Sequence, residues 1–188
     1  MALIVKKFGG SSVATPEKMF NIVNRVLAGK KEDDNIVLVV SAMGDTTDEL
    51  VSLAKQVTSH PYGREMDRLL STGEQMSIAL MAMAFMEKGH PAVSMTGEQA
   101  GIKSSNAYGK GRITDIDPSR VFEALKGGNI VIVAGFQGIT DDGDITTLGR
   151  GGSDTTSVAL AGAMKADVCE IFTDVEGVYS TDPRISPN

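Results

Sequence analysis

The runs Ile36-Val37-Leu38-Val39-Val40 and Ile130-Val131-Ile132-Val133 are apolar at every position. A strand with one wet face alternates apolar and polar residues. A strand apolar throughout needs cover on both faces, which is the mark of a parallel sheet between helices. Largely apolar runs at 2–8, 92–96 and 167–173 also read as strands, and segments of helical period separate them. Thr15 is placed to cap a helix, with Pro16 first and Glu17 in its first turn. Met19, Phe20, Val23, Val26 and Leu27 give that helix an apolar face, and Gly29 ends it. A second helix, after Asp45-Thr46-Thr47-Asp48, carries Leu50, Leu53, Ala54 and Val57, and His60-Pro61 breaks it. Residues 64–70 read as one helix and roughly 75–87 as another, whose Met76, Met81, Met83 and Met86 read as core packing. The glycine-bearing stretch 97–113 reads as a hairpin or an ordered loop. Asp117 caps a helix running to Leu125, and residues 154–164 form a small-residue helix suited to close packing on the sheet. The expected fold is α/β: a three-layer αβα sandwich with a mainly parallel central sheet, as one domain over residues 1–188.

Composition narrows the partners. Eighteen Lys and Arg against 24 Asp and Glu leave a net charge of −6, which argues against nucleic acid or an anionic membrane as partner. The single cysteine, Cys169, sits in an apolar run and reads as a buried small hydrophobe; it rules out a disulfide framework or cysteine-rich metal site within one chain. No apolar run reaches the length of a membrane span and the N-terminus lacks a signal-peptide layout, so a cytoplasmic location is expected. His60 and His90 each adjoin a proline and read as surface loop residues. Neither a zinc spacing nor a Ser-His-Asp arrangement is suggested.

In open α/β sheets, ligands bind beyond the carboxyl ends of the strands. Lys7, Gly9, Gly10 and Ser11 follow the first strand; Ser41, Gly44 and Thr47 the second; Thr96, Gly97 and Glu98 the third. Gly135, Phe136, Gln137 and Gly138 follow the fourth, and Thr173, Asp174, Tyr179, Asp182 and Arg184 the fifth. Glycines let backbone N–H groups approach an anion. In Thr147-Leu148-Gly149-Arg150-Gly151-Gly152-Ser153-Asp154 they surround an arginine just before a helix N-terminus. This points to an anion with several oxygens, a nucleotide triphosphate being the simplest. The first turn is not a Walker A loop, because its lysine precedes the glycines, and it lacks the Rossmann spacing. Plainer readings stand beside these: Lys7 as a surface lysine, Glu74 as a carboxylate complementing a helix dipole, Asp154 or Ser153 as a cap, and Tyr179 as a packing residue.

Lys7-Phe8-Gly9-Gly10-Ser11-Ser12-Val13 resembles the N-terminal signature of aspartate kinases, in the amino-acid-kinase superfamily. Ser41-Ala42-Met43-Gly44, Ser71-Thr72-Gly73-Glu74, Gly135-Phe136-Gln137-Gly138, the Thr147–Asp154 block and Thr173-Asp174-Val175 are similar to that family's later blocks, in order. The resemblance implies ATP- and Mg²⁺-dependent phosphorylation of the side-chain carboxylate of L-aspartate to 4-phospho-L-aspartate, towards lysine, threonine and methionine. It implies Lys7 and Asp154 as catalytic residues. Ser41, Thr47, Glu74, Arg150, Gly151, Gly152 and Ser153 would bind aspartate. Lys7, Phe8, Gly9, Gly10, Ser11, Thr173, Asp174, Tyr179, Asp182 and Arg184 would bind ATP. No protein metal cage is expected, since Mg²⁺ would bridge phosphate oxygens mostly through water. In that family the fold continues beyond Asp182-Pro183-Arg184 and regulatory ACT modules follow, so an incomplete kinase domain is expected, as part of a homodimer when full length. Glu98 stands where the family often has an aromatic. Two rivals are a chain that binds aspartate or phosphate without turnover, and a kinase acting on glutamate or acetylglutamate.

Overall fold

The computed structural model describes residues 2–149 and 151–173. Strand β1 (Leu3–Phe8) leads through a single 3-10 turn (Gly10–Val13) to α1 (Pro16–Gly29), and β2 (Asn35–Val40) leads to α2 (Thr46–Val57). Next come α3 (Arg64–Glu87), β3 (Ala92–Met95), β4 (Ile102–Ser104), β5 (Ile113–Ile116) and α4 (Ser119–Lys126). Strands β6 (Ile130–Ala134), β7 (Gln137–Ile139) and β8 (Ile145–Thr147), then α5 (Gly152–Met164) and β9 (Val168–Phe172), complete the described chain.

Among the described residues the central sheet runs β3-β6-β2-β1-β9, with every pair parallel. The continuous apolar runs are its middle strands, and their side chains divide by parity. Ile36, Leu38, Val40, Ile130 and Ile132 face α1 and α3. Val37, Val39, Val131 and Val133 face α4 and α5. The expected three-layer sandwich is therefore present, with a separate hydrophobic core on each face of the sheet. The Thr15 hydroxyl accepts the Lys18 N–H at the start of α1, as expected of a cap. At α4 the N-cap is Pro118, and Asp117 accepts the Ser119 N–H from one residue earlier.

Five expectations need correction. The segments 64–70 and 75–87 are one 24-residue helix, α3, running straight through Gly73. A second sheet, β5-β4-β7-β8, was not foreseen beyond the β4–β5 hairpin; its three- and four-residue strands are too short for a periodic signal. Of the α3 methionines named above, only Met81 is buried, whereas Met76, Met83 and Met86 are exposed on the far side of the helix. Cys169 is also exposed, because β9 is an edge strand of the described sheet. Helix α3 is long and apolar enough by composition to cross a membrane, which the scan of apolar runs missed. Half of that window is buried in the fold, however, and its polar face is bonded to the sheets.

Gly73 shows why α3 stays unbroken. A Cβ there would stand 2.9 Å from the Ala42 Cβ, so the glycine marks close approach of helix to strand end rather than a helix stop. Gly→Ala in a helix interior ordinarily stabilises by about 1 kcal/mol. Here Gly73→Ala is expected to destabilise by about 1–3 kcal/mol through overpacking. Denaturant unfolding checks the sign.

Candidate functional site

The site is built where β1, β2 and β6 end. Lys7 lies two residues beyond Val5 in β1 and shares its face, so its side chain points at the start of α5. It is 8% exposed, which removes the surface-lysine reading. Its Nζ stands 2.6 Å from Asp154 Oδ1, in the first turn of α5. That oxygen makes no aligned hydrogen bond, so the contact is a charge pairing rather than a directed bond. Asp154 is therefore more than a cap; no side-chain cap closes α5, whose N-cap is Gly151 in the left-handed region at φ 72°.

Glu74 approaches from the opposite wall. It sits in the middle of α3, not at a helix N-terminus, so the dipole reading fails. Its Oε1 accepts the Ala42 N–H at 3.1 Å. Its Oε2 is buried and has no partner. Burial pushes this carboxyl up to about 7, with the Ala42 N–H partly opposing the shift. Ser41 Oγ donates to Ser153 Oγ at 3.0 Å, tying the end of β2 to the start of α5. A Cβ on Gly135 would lie 2.6 Å from the same Ser153 Oγ, so the end of β6 closes tightly against this pair.

Together Lys7, Gly10, Ser41, Ala42, Gly44, Thr47, Glu74, Phe136, Gly151, Gly152, Ser153 and Asp154 line a cavity of about 270 Å³. Its size suits a small polar ligand better than a drug-sized one, for which pockets of roughly 300–1,000 Å³ are usual. Residues expected to bind aspartate thus converge with Lys7 and Asp154. The residues expected to bind ATP divide. Gly10 lines this cavity, and Gly9 lies beside the Lys7 ammonium. Phe8, Ser11 and Thr173 instead line a neighbouring cavity of about 530 Å³ with Lys18 and Arg25. The Phe8 ring is buried there, stacked on Phe172 at 4.6 Å, so its side chain belongs to the core. Arg150, Asp174, Tyr179, Asp182 and Arg184 lie outside the described residues. Among the described residues, no group of three His, Cys, Asp or Glu side chains could hold a metal ion. His60 and His90 are exposed in loops.

The binding residues drawn from the sequence omitted Ala42, Gly44 and Phe136, the last two having been named only as strand-end residues. Ala42 acts through its backbone N–H, which no side-chain pattern signals. Phe136 adopts φ 66°, a conformation that strains a bulky residue. It is held there because its carbonyl accepts the Leu148 N–H and its own N–H donates to Thr156 Oγ1.

Residues 2–188 match the model of the amino acid kinase family. The chain is 60% identical over 184 residues to an aspartokinase of Geobacillus stearothermophilus and 61% identical to aspartokinase 2 of Bacillus subtilis. Each alignment takes in 98% of this chain but 45% of the relative, so the chain spans under half the length of these proteins. Among solved structures it superposes on aspartate kinase from Synechocystis with a TM-score of 0.81 at 51% identity, over 99% of this chain and 31% of that one. On E. coli aspartokinase III in complex with aspartate and ADP the TM-score is 0.83 at 26% identity, over 98% of this chain and 52% of that one. A parallel sheet whose strand ends converge on a buried lysine paired with a half-exposed carboxylate, together with a family match over nearly every residue, establishes that the chain belongs to the amino acid kinase family.

Proposed function

We propose that this chain is the aspartate-binding portion of an aspartate kinase, which transfers the γ-phosphoryl group of MgATP to the side-chain carboxylate of L-aspartate. The observation that carries the reading is the buried, unpartnered Glu74 Oε2, facing a cavity that also holds the Lys7–Asp154 pair. An ammonium group would satisfy that oxygen and a phosphoryl group would suit Lys7. An α-amino acid accepting phosphate brings both. The similarity to aspartokinases over 98% of the chain favours aspartate among such acceptors.

In this reading Glu74 takes the substrate ammonium group. Arg150 takes the α-carboxylate in a bidentate contact. Ser41, Thr47, Ser153 and the N–H groups of Gly151 and Gly152 orient the side chain. Phosphoryl transfer asks for positioning and charge neutralisation more than covalent help. The nucleophile is already a carboxylate, so no general base is required. One of its oxygens forms the bond to the γ-phosphorus as the bond to the β–γ bridging oxygen breaks and ADP leaves. Lys7, aimed by Asp154, neutralises charge on the transferring group, and the N–H groups of Gly9, Gly10 and Ser11 assist. Mg²⁺ would supply further charge neutralisation on the nucleotide side when bound. Phe8 contributes only backbone to the nucleotide side, together with Thr173, Asp174, Tyr179, Asp182 and Arg184. Residues 1–188 form one part of the kinase domain, in a cytoplasmic protein that dimerises when full length and feeds lysine, threonine and methionine synthesis.

The state of Glu74 makes the reading testable. The free carboxyl titrates near 7, and ammonium binding needs it ionised, so aspartate binding releases a proton below that pH. Affinity must therefore fall as pH falls, by roughly tenfold between about pH 8 and about pH 6, one pKa unit being one decade. Calorimetric titration with L-aspartate is expected to show this slope. Glu74→Gln is expected to bind more weakly with no slope; a pH-independent wild type contradicts the reading. Arg150→Ala is expected to weaken aspartate far more than MgATP in paired titrations, and equal losses would remove its assigned role.

A further inference from the structure

Helix α3 brings a second carboxylate into the core. Asp67 is 2% exposed, yet among the described residues it pairs with no cation. It accepts hydrogen bonds from the Thr147 N–H at 2.9 Å and the Thr147 hydroxyl at 2.8 Å. The Gly109 N–H reaches both of its oxygens, at 3.0 and 2.8 Å. Burying an anion is costly unless donors surround it, and these backbone donors fill that role.

The placement of this tie matters more than its strength. Thr147 ends β8 and directly precedes the glycine-rich segment that delivers Gly151, Gly152 and Ser153 to the 270 Å³ cavity. Among the described residues, its far end is held by the Ser41–Ser153 bond and by the first turn of α5, where the Gly151 and Gly152 carbonyls accept from Thr155 and Thr156, and its near end by β8. Leu148 N–H donates to Phe136 at 2.8 Å, and Gly111 N–H donates to the Thr147 carbonyl at 2.9 Å. Meanwhile Asp67, Ser71 and Glu74 recur at helical spacing and lie along one face of α3. The Ser71 carbonyl accepts from Gln137 Nε2 at 3.1 Å, which holds β7. Glu74 holds Ala42. One rigid helix therefore sets the distance between Glu74 and the glycine-rich wall opposite, about 10 Å of axis separating its two carboxylates at ~1.5 Å per residue.

We propose that Asp67 is a positioning residue for the aspartate side of the site: through Thr147 it fixes the glycine-rich wall relative to Glu74. This rests on the aspartate reading above. Asp67 touches no ligand. Its effect is to pre-organise the segment, so that binding does not spend interaction energy on ordering a loop.

The test uses Asp67→Asn and Thr147→Val. The first turns an acceptor into a group whose NH₂ faces backbone donors. The second removes only the hydroxyl and keeps the shape, so it remains informative should Asp67→Asn fold poorly. Amide hydrogen exchange of residues 148–153 is followed without ligand, and L-aspartate affinity is titrated alongside. The expected result is faster exchange confined to that segment, with β2 and β6 unchanged. Aspartate affinity should fall about threefold in Thr147→Val, which loses one of the four donor contacts, and at least tenfold in Asp67→Asn, which disturbs all of them. Unchanged exchange in 148–153, unchanged aspartate affinity in a folded Thr147→Val, or exchange rising equally across the sheet would overturn the proposal, the last by showing a purely structural role. Failure of the wild-type chain to bind aspartate would overturn the substrate reading, while the ligand-free exchange result judges the Asp67 tie on its own.

Discussion

Two carboxylates carried into the core on one helix constrain everything around them. An ionised or half-ionised acid cannot be buried without donors, so the chain must bring backbone N–H groups to α3 wherever Asp67 and Glu74 lie. Thr147 and Gly109 meet the first demand and Ala42 the second. Those donors sit at the end of β8, in the loop after β4 and at the end of β2. The helix thereby gathers pieces of both sheets into one assembly. The difference between the two acids is informative. Asp67 has four donor contacts and no need of a ligand. Among the described residues Glu74 has a single donor, and its second oxygen has none. In the proposed reading, structure and binding are divided between the carboxylates along one face of one helix.

On the opposite wall the charge is reversed. Lys7 emerges from a parallel strand and reaches the first turn of α5, where it pairs with Asp154. The sheet makes this possible. With Val39 on one side and Ile171 on the other in register, the Lys7 backbone has no freedom to shift, and the side chain inherits that precision. A cation and a glycine segment on one side, with an unsatisfied carboxylate on the other, polarise the site, and this polarity is what the proposed zwitterionic, phosphate-accepting substrate would match.

Much of this was legible in the residues. Continuous apolar strands announced a covered parallel sheet, and strand-end glycines and charges announced the edge where ligands collect. Lys7, Glu74, Ser153 and Asp154 do meet there. What the sequence concealed has physical causes. Gly73 reads as a break because its reason, the 2.9 Å approach to Ala42, belongs to tertiary structure. The second sheet is made of strands too short to carry a period. Cys169 has buried-strand neighbours in sequence but an edge position in space. Ala42 contributes a backbone N–H, invisible to any side-chain pattern. Asp67 did carry a signal, its seven-residue spacing from Glu74, but only once 64–87 is taken as a single helix does that spacing place both on one face.

The central claim is that this fold serves phosphorylation of an aspartate carboxylate. The most direct measurement is hydroxylamine trapping of acyl phosphate from a kinase domain that contains residues 1–188, with MgATP and, in parallel, L-aspartate, L-glutamate or N-acetylglutamate. The account predicts hydroxamate formed with aspartate and none with the other two. Hydroxamate from glutamate or acetylglutamate instead, or aspartate bound with no hydroxamate formed, would contradict it.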